Sequence, residues 1–420
     1  MKITKESHKL MSFFIENNCL IPLKQTKPQT ALFKQLFNDI SNGFRYIEDI
    51  KTKMGSSFYK LRITNITNIS QIPKPTTFPS NSFPLEIRNH IDEYSLSLFT
   101  YSFNLFKRKI QIIFLTEDER PEKLIEIYNN YVKHMLVWLY IVDQYSSKNC
   151  SNELTIYIYH TPLLKLLPSS NIDILGETNV NTAFTSSCSK KSEIVIFRKE
   201  EWFKAFIHET IHNFGLDFSD MNNSSCKLNI LSIFLVNSDV NLYEAYAEFW
   251  ARLMNALFCS YTNMKNKNDF NEFLTNAEFF INFERIFAFF QMVKILNFMG
   301  LTYSQLYQRD IYSDNIRNLM YKEDTSVLSY YILTLILFNN YNEFLSWCNT
   351  NNTSLLQFKK TLPNMDSFYK FIEKKYKSKN MLDGVECTEV LVSRFNKLGK
   401  KQKDVGYLLK TLRMTICELG

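Results

Sequence analysis

Two rhythms of apolar residues divide this 420-residue chain. Between Ser95 and Arg198, apolar positions alternate with polar ones or form short runs, the pattern of strands with one or both faces buried. SLSLFTYSF and KIQIIFLTE predict a β-hairpin turning around Asn104–Arg108. LTIYIYH predicts a strand over Leu154–His160, and VNTAFTS and SEIVIFR predict two more, the last over Ser192–Arg198. Beyond Asp220, apolar residues recur every three or four positions, which is the helical period. Helices are expected there to begin near Asp239, Asp269, Thr302, Thr325, Ser354, Asp366 and Gln402.

The other segments are read the same way. ALFKQLFNDISNGF, Ala31–Phe44, has helical spacing, and Ser57–Ile66 suits a strand. Ile72–Pro84 holds four prolines and no period, so it is a loop. Glu122–Tyr145 predicts a long helix with a wide apolar face. KEEWFKAFIHETIHNF predicts a helix directly after a strand, with acidic residues in its first turn and Gly215 as its stop. SDVNLYEAYAEFWARLMNALF, Ser238–Phe258, predicts another, with Ser238 or Asp239 as N-cap. The chain therefore reads as α+β. A helical N-terminal region over 1–90 precedes an α+β domain over 91–260, and an α-helical domain over 261–420 follows.

Composition adds bounds. With 45% apolar and 22% charged residues the chain is globular. Aromatics reach 15%, so no single aromatic residue counts as a functional signal. The net charge of +7 is spread along the chain. The basic runs Lys374–Lys379 and Leu398–Lys403 suit solvated helix faces, and no zinc-finger, RNP or P-loop spacing points to nucleic acid. Cys19, Cys150, Cys188, Cys226, Cys259, Cys348, Cys387 and Cys417 are scattered without a C-x-x-C pair, which reads as a reduced, intracellular protein. Glu16 interrupts the only apolar run near Met1, and Val327–Phe338 is too short to span a bilayer.

The chemistry is concentrated in WFKAFIHETIHNFGLDF, Trp202–Phe218. His208 and His212 are four apart on one helix face and can offer two imidazole nitrogens to one zinc ion. Glu209, one step round, is placed to take a proton from a water activated by that ion. Chance yields roughly 0.005 such H-E-x-x-H matches in a chain of this composition. The surrounding Trp202, Phe203, Phe206, Ile207, Ile211 and Phe214 bury the helix, and buried polar groups need partners. A third protein ligand is required. The extended pattern H-E-x-x-H-x-x-G-x-x-H places Phe218 at the ligand position, with Asp217 one residue early. The better source is the next long helix, where Glu244 and Glu248 share a face. Glu244 is expected to bind the metal and Glu248 to accept the free N–H of a ligand histidine. The competing reading is a Glu248–Arg252 ion-pair ladder on a solvated face.

HETIH followed by EAYAE resembles the gluzincin metalloproteases, whose motif is H-E-x-x-H and then E-x-x-x-D or E-x-x-A-D on a later helix. NVNTAFTS, SEIVIFRKEEWFKAFIHETIHNFGLDF and EAYAEFWARLMNALF, in that order, are similar to zinc metallopeptidases of large DNA viruses. The resemblance covers Asn179–Phe258. It implies a zincin-like mixed sheet with a backing helix and an active-site helix. It also implies zinc held by His208, His212 and Glu244, Glu209 as general base, Glu248 in the place of the family's orienting Asp, and a peptide or protein substrate. The long gap between His212 and Glu244 implies a loop insertion, which Ser219–Asn229 suits. It further implies a strand above the metal that pairs with extended substrate, with Asn181, Ala183 and Thr185 as candidates. An oxyanion donor is also needed, for which His160, Tyr243, Tyr246, Tyr330 and Tyr331 are available. Two other readings are carried forward: a zincin that holds zinc without catalysis, and a helical virion or interaction protein with a chance motif.

Overall fold

The computed structural model describes residues 1–20, 29–79, 82–398 and 403–420. Two helices, α1 (Lys5–Glu16) and α2 (Thr30–Met54), precede the first strand, β1 (Lys60–Asn65). After the proline-rich segment and α3 (Leu85–Tyr94) comes the hairpin β2 (Ser97–Leu105) and β3 (Arg108–Thr116). Phe106 and Lys107 both take positive φ at its two-residue turn, the backbone that matches the twist of the flanking strands. The long helix α4 (Ile125–Tyr145) crosses to β4 (Glu153–Tyr159). A short helix, α5 (Glu177–Val180), leads into β5 (Ala183–Thr185) and β6 (Lys191–Ile196).

These strands form one mixed sheet in the order β1-β2-β3-β4-β6-β5. β3, β4 and β6 are parallel, whereas β1, β2 and β5 run antiparallel to their neighbours. The alternation read in the sequence is the burial of two faces. Phe99, Tyr101, Ile112, Phe114, Ile156, Ile158, Ile194 and Ile196 look into the main core, where α4 packs. Leu98, Ile113, Leu115, Tyr157, Tyr159 and Val195 look the other way, onto Ile87 and Ile91 of α3 and Ile72 and Phe83 of the proline-rich segment.

Helices follow, α6 (Trp202–Asn213), α7 (Ser224–Ile233), α8 (Leu242–Asn263), α9 (Phe270–Phe298), α10 (Ile311–Met320), α11 (Thr334–Asn339), α12 (Tyr341–Asn351), α13 (Leu362–Lys375), α14 (Lys379–Leu398) and α15 (Lys403–Lys410), and then a non-helical stretch over 411–420. The fold is thus α+β with a six-stranded mixed sheet followed by a helical region. Residues of all three segments delimited in the sequence share one apolar core, from Met1 and Phe33 through Trp138 and Phe206 to Phe338 and Leu419. Among the described residues no helix is long and apolar enough to cross a membrane.

Several local expectations change. Helix α6 begins at Trp202, so Glu200 and Glu201 precede its first turn. Glu201 takes a left-handed conformation, and its carboxylate accepts the backbone N–H groups of Met414 and Thr415 and pairs with Lys165. Helix α8 starts at Leu242 rather than beside Ser238 or Asp239. The Ser238 hydroxyl donates to Glu323, and Asp239 pairs with Lys227. The supposed loop Ser219–Asn229 contains the start of α7, whose Cys226, Ile230 and Ile233 are buried at helical spacing. No helix begins at Ser354, where Thr353 and Gln357 close a turn instead. Gln402, expected to begin a helix, lies outside the described residues, as do positions 399–401 of the second basic run. Cys150 and Cys188 are joined in a disulfide, with Cα atoms 4.8 Å apart, where scattered reduced thiols were expected.

Candidate metal centre

Every residue of α6 is buried. Its apolar side chains face α4, α8 and the sheet, and Thr210 accepts a hydrogen bond from Trp138 Nε1 of α4. The helix ends as its sequence dictates. Gly215 has φ +64°, its N–H donates to the His212 carbonyl, and the Leu216 N–H reaches the Ile211 carbonyl. That left-handed turn after the last helical residues satisfies the terminal carbonyls. It also swings Asp217 back under His212.

His208 and His212 turn their Nε2 atoms toward each other, 3.0 Å apart. The second long helix, α8, brings Glu244 to the same point: its Oε2 is 3.1 Å from His208 Nε2 and 3.4 Å from His212 Nε2. Zinc bonds of about 2.0–2.1 Å in a tetrahedral site set neighbouring ligand atoms roughly 3.3–3.4 Å apart. The donor atoms and their spacing therefore fit a zinc-sized ion. The opposite ring nitrogens have acidic partners. His208 Nδ1 is 3.0 Å from Glu248 Oε2, and His212 Nδ1 meets Asp217 Oδ2. Each imidazole is thus held from behind with its other nitrogen presented to the shared point, the arrangement that orients histidine ligands.

No family model matches the chain, no curated protein matches its sequence, and no solved structure matches its fold. The chemistry must be read from the residues themselves.

Four carboxylates, Glu209, Glu244, Glu248 and Asp217, converge on this region, with the ammonium of Lys204 beside them. The excess of acid shapes every titration. Burial disfavours the charged imidazole of His212, yet Asp217 and Glu244 outweigh it and hold its pKa well above the usual range. His208 is likewise raised, burial being overcome by Glu244 and Glu248. Burial works against the Glu244 carboxylate, but His212 and His208 outweigh it and hold its pKa far below normal. Glu248 is lowered by Lys204 and His208 in the same way, against burial. Glu209 differs. Burial raises its pKa and the two histidines only partly oppose this. Its carboxylate makes no hydrogen bond among the described residues, and it lines a small cavity of about 30 Å³ with His208, Lys204, Ala183 and Tyr330. That space suits one or two waters.

The candidate residues divide as follows. His208, His212 and Glu244 are brought together, Glu209 stands beside them, and Glu248 and Asp217 sit behind the histidines. The Glu248–Arg252 ladder does not form: both residues are buried, Glu248 pairing with Lys204 and Arg252 with Glu284. Phe218 is fully buried and turned to Phe358 and Tyr243. Asn181 and Ala183 line the space beside His208 and Glu209 at the β5 edge of the sheet, whereas Thr185 does not. Asn181 accepts from Arg198 through its carbonyl and from Thr325 through its side chain. The Thr185 hydroxyl donates to the Glu193 carbonyl and accepts from Asn213 of α6, so it fastens β5 to the helix.

Of the residues weighed as oxyanion donors, Tyr330 alone touches the cluster by hydrogen bond, donating to Glu244 Oε2 at 3.0 Å. It stands on a π-helical turn, Leu328–Leu333, a form that recurs at functional sites. Tyr331 donates to the Leu412 carbonyl and Tyr246 to that of Leu356. Tyr243 lies with its ring 5.9 Å from that of His212. His160 packs among Phe114, Tyr128, Tyr131 and Trp202, away from the cluster. Sequence reasoning passed over Lys204. The signal was there: a lysine four residues before His208, in a helix whose other first-turn residues, Trp202, Phe203 and Ala205, are apolar.

Proposed function

We propose that this chain is a zinc-dependent peptidase, hydrolysing peptide bonds of a peptide or protein substrate. One observation carries the reading: His208 Nε2, His212 Nε2 and Glu244 Oε2 converge within 3.0–3.4 Å, with the unpartnered carboxylate of Glu209 next to them. Zinc held by those three residues would supply Lewis-acid chemistry, polarising a carbonyl and acidifying a water. The chain's own residues do the rest. Glu209 takes a proton from the attacking water as the new C–O bond forms. It returns that proton to the nitrogen as the C–N bond breaks. Its burial favours the protonated form it must hold between the two steps. Tyr330 Oη, which donates to Glu244 Oε2, would serve the developing oxyanion only by giving up that bond. The free edge of β5, at Ala183, can accept an extended chain as an added strand, while Thr185 supports that strand from behind. The intracellular setting expected from the sequence is not carried into this proposal, because the Cys150–Cys188 disulfide removes the reduced-cysteine argument for it.

The test is cleavage of an unstructured protein substrate by the full chain, with and without zinc. Turnover that a chelator stops and zinc restores is expected, and Glu209→Gln should abolish it while the protein stays folded with its metal. Equal cleavage by Glu209→Gln would defeat the mechanism. A second reading, a zinc-holding protein without catalysis, has the size of the cavity in its favour. About 30 Å³ admits water beside Glu209 but no peptide group unless Tyr330 or the Val180–Ala183 segment gives way. Metal bound at one equivalent with no cleavage of any peptide would favour it.

A further inference from the structure

We infer that Lys204 is a positioning residue of the metal site, acting through Glu248 on His208. The inference rests on the metal-binding reading above. Lys204 lies in the first turn of α6, where the helix dipole opposes a cation, and it is buried. Neither local propensity nor solvation accounts for it. Its ammonium has three directed partners: Glu248 Oε1 and Oε2, each at 3.0 Å, and Met414 Sδ at 3.6 Å. Glu248 Oε2 in turn lies 3.0 Å from His208 Nδ1.

Lys204 and His208 are one turn apart, so they share a helix face, and Glu248 reaches across from α8 to both. With both oxygens held by the ammonium, the carboxylate cannot rotate away from the imidazole. It accepts the Nδ1 proton, which leaves the Nε2 lone pair facing His212 and Glu244. The same geometry gives a reason for glutamate at 248, since its longer arm spans the lysine and the histidine together. A fold-stabilising role is a weak explanation. Two buried charges pay a desolvation cost that a well-packed apolar pair avoids. What the charges provide here is direction.

The experiment measures zinc affinity of the full chain by competition with a chromogenic chelator. It compares the unaltered protein with Lys204→Met, Lys204→Arg, Glu248→Gln and the double variant Lys204→Met/Glu248→Gln. Lys204→Met and Glu248→Gln are each expected to weaken zinc roughly 10–100-fold. The double variant should be no worse than the weaker single, because both act through one contact. Lys204→Arg should recover most of the affinity, since a guanidinium also pins a carboxylate through two bonds. In the cobalt form, the visible bands should shift in Lys204→Met, a change that lost packing elsewhere would not cause. If Lys204→Met does not fold because it strands Glu248, the test passes to the double variant against Glu248→Gln: equal zinc affinity is expected, and a further loss in the double variant would overturn the inference. A folded Lys204→Met or double variant within twofold of the unaltered protein would overturn the inference, as would losses that multiply. Failure of the unaltered protein to bind zinc would instead overturn the metal reading itself.

Discussion

Glu284, fully buried on α9, offers the sharpest test of how the interior is held. Its Oε1 accepts the backbone N–H of Ile416 at 2.9 Å and of Cys417 at 2.8 Å, together with the Thr415 hydroxyl. Its Oε2 accepts from Arg252 Nη2 at 2.8 Å and Nε at 3.2 Å. One side chain thus joins α8, α9 and the non-helical stretch that carries Met414 to the edge of the site. Glu284→Ala leaves the Arg252 cation only its bond to the residue-284 carbonyl and leaves two buried N–H groups without an acceptor. Breaking a buried ion pair from one side costs roughly 3–5 kcal/mol, and each orphaned donor about 1–3 kcal/mol. These contributions overlap where water or a shifted backbone recovers a bond, so roughly 5 kcal/mol is expected in all. At the usual unfolding entropy per residue, a chain of this length loses about 1 kcal/mol per degree, so the melting temperature should fall by roughly 5 °C. Thermal unfolding followed by circular dichroism reads the shift. Hydrogen exchange reads the cause, with the Ile416 and Cys417 amides passing from protected to fast. A shift of about 1 °C or less, with those amides still protected, would refute the reasoning.

Other predictions concern the surroundings of α6. Removing the Cys150–Cys188 disulfide, which spans 38 residues, should cost about 4 kcal/mol by chain entropy; thermal melts of Cys150→Ser/Cys188→Ser against the unaltered protein without reductant test it, and equal melting temperatures would contradict it. Gly215→Ala adds a Cβ 3.2 Å from Cys188 Cβ at φ +64°. The left-handed backbone alone makes that about 1–2 kcal/mol unfavourable, so the variant should melt measurably lower, whereas Gly300→Ala, at φ +75° and with the flexible end of Met320 as its close neighbour, controls for a positive φ with a yielding contact. Asp217→Asn keeps the shape under His212 but removes its charge. It should weaken zinc roughly 10–100-fold, and an unchanged affinity would show that Asp217 does not orient the ring.

What could be read from the sequence follows from which interactions are local. Strand alternation and helix period depend on neighbouring positions, so the β2–β3 hairpin, α4, β4 and the H-E-x-x-H helix with its glycine stop were all legible. So was the pairing of Glu244 with the two histidines, because a second carboxylate-bearing helix was the simplest source of a third donor. What was not legible depends on distant partners. Glu201 looked like a first-turn acid, but it precedes the helix and its carboxylate binds Met414, Thr415 and Lys165. Ser238 and Asp239 looked like N-caps, but Glu323 and Lys227 take them. Asp217 failed as a ligand by spacing, and only the left-handed turn at Gly215 carries it behind His212. The disulfide joins residues on either side of β4 and β5, a proximity that only the sheet order creates.

The central claim is that His208, His212 and Glu244 hold a zinc ion. The most direct measurement is the metal content of the purified full chain by plasma mass spectrometry, beside His212→Ala and Glu244→Ala. The account predicts about one zinc per chain, lost in both variants while they remain folded. No zinc in the unaltered protein after reconstitution, or zinc retained equally in both variants, would contradict it.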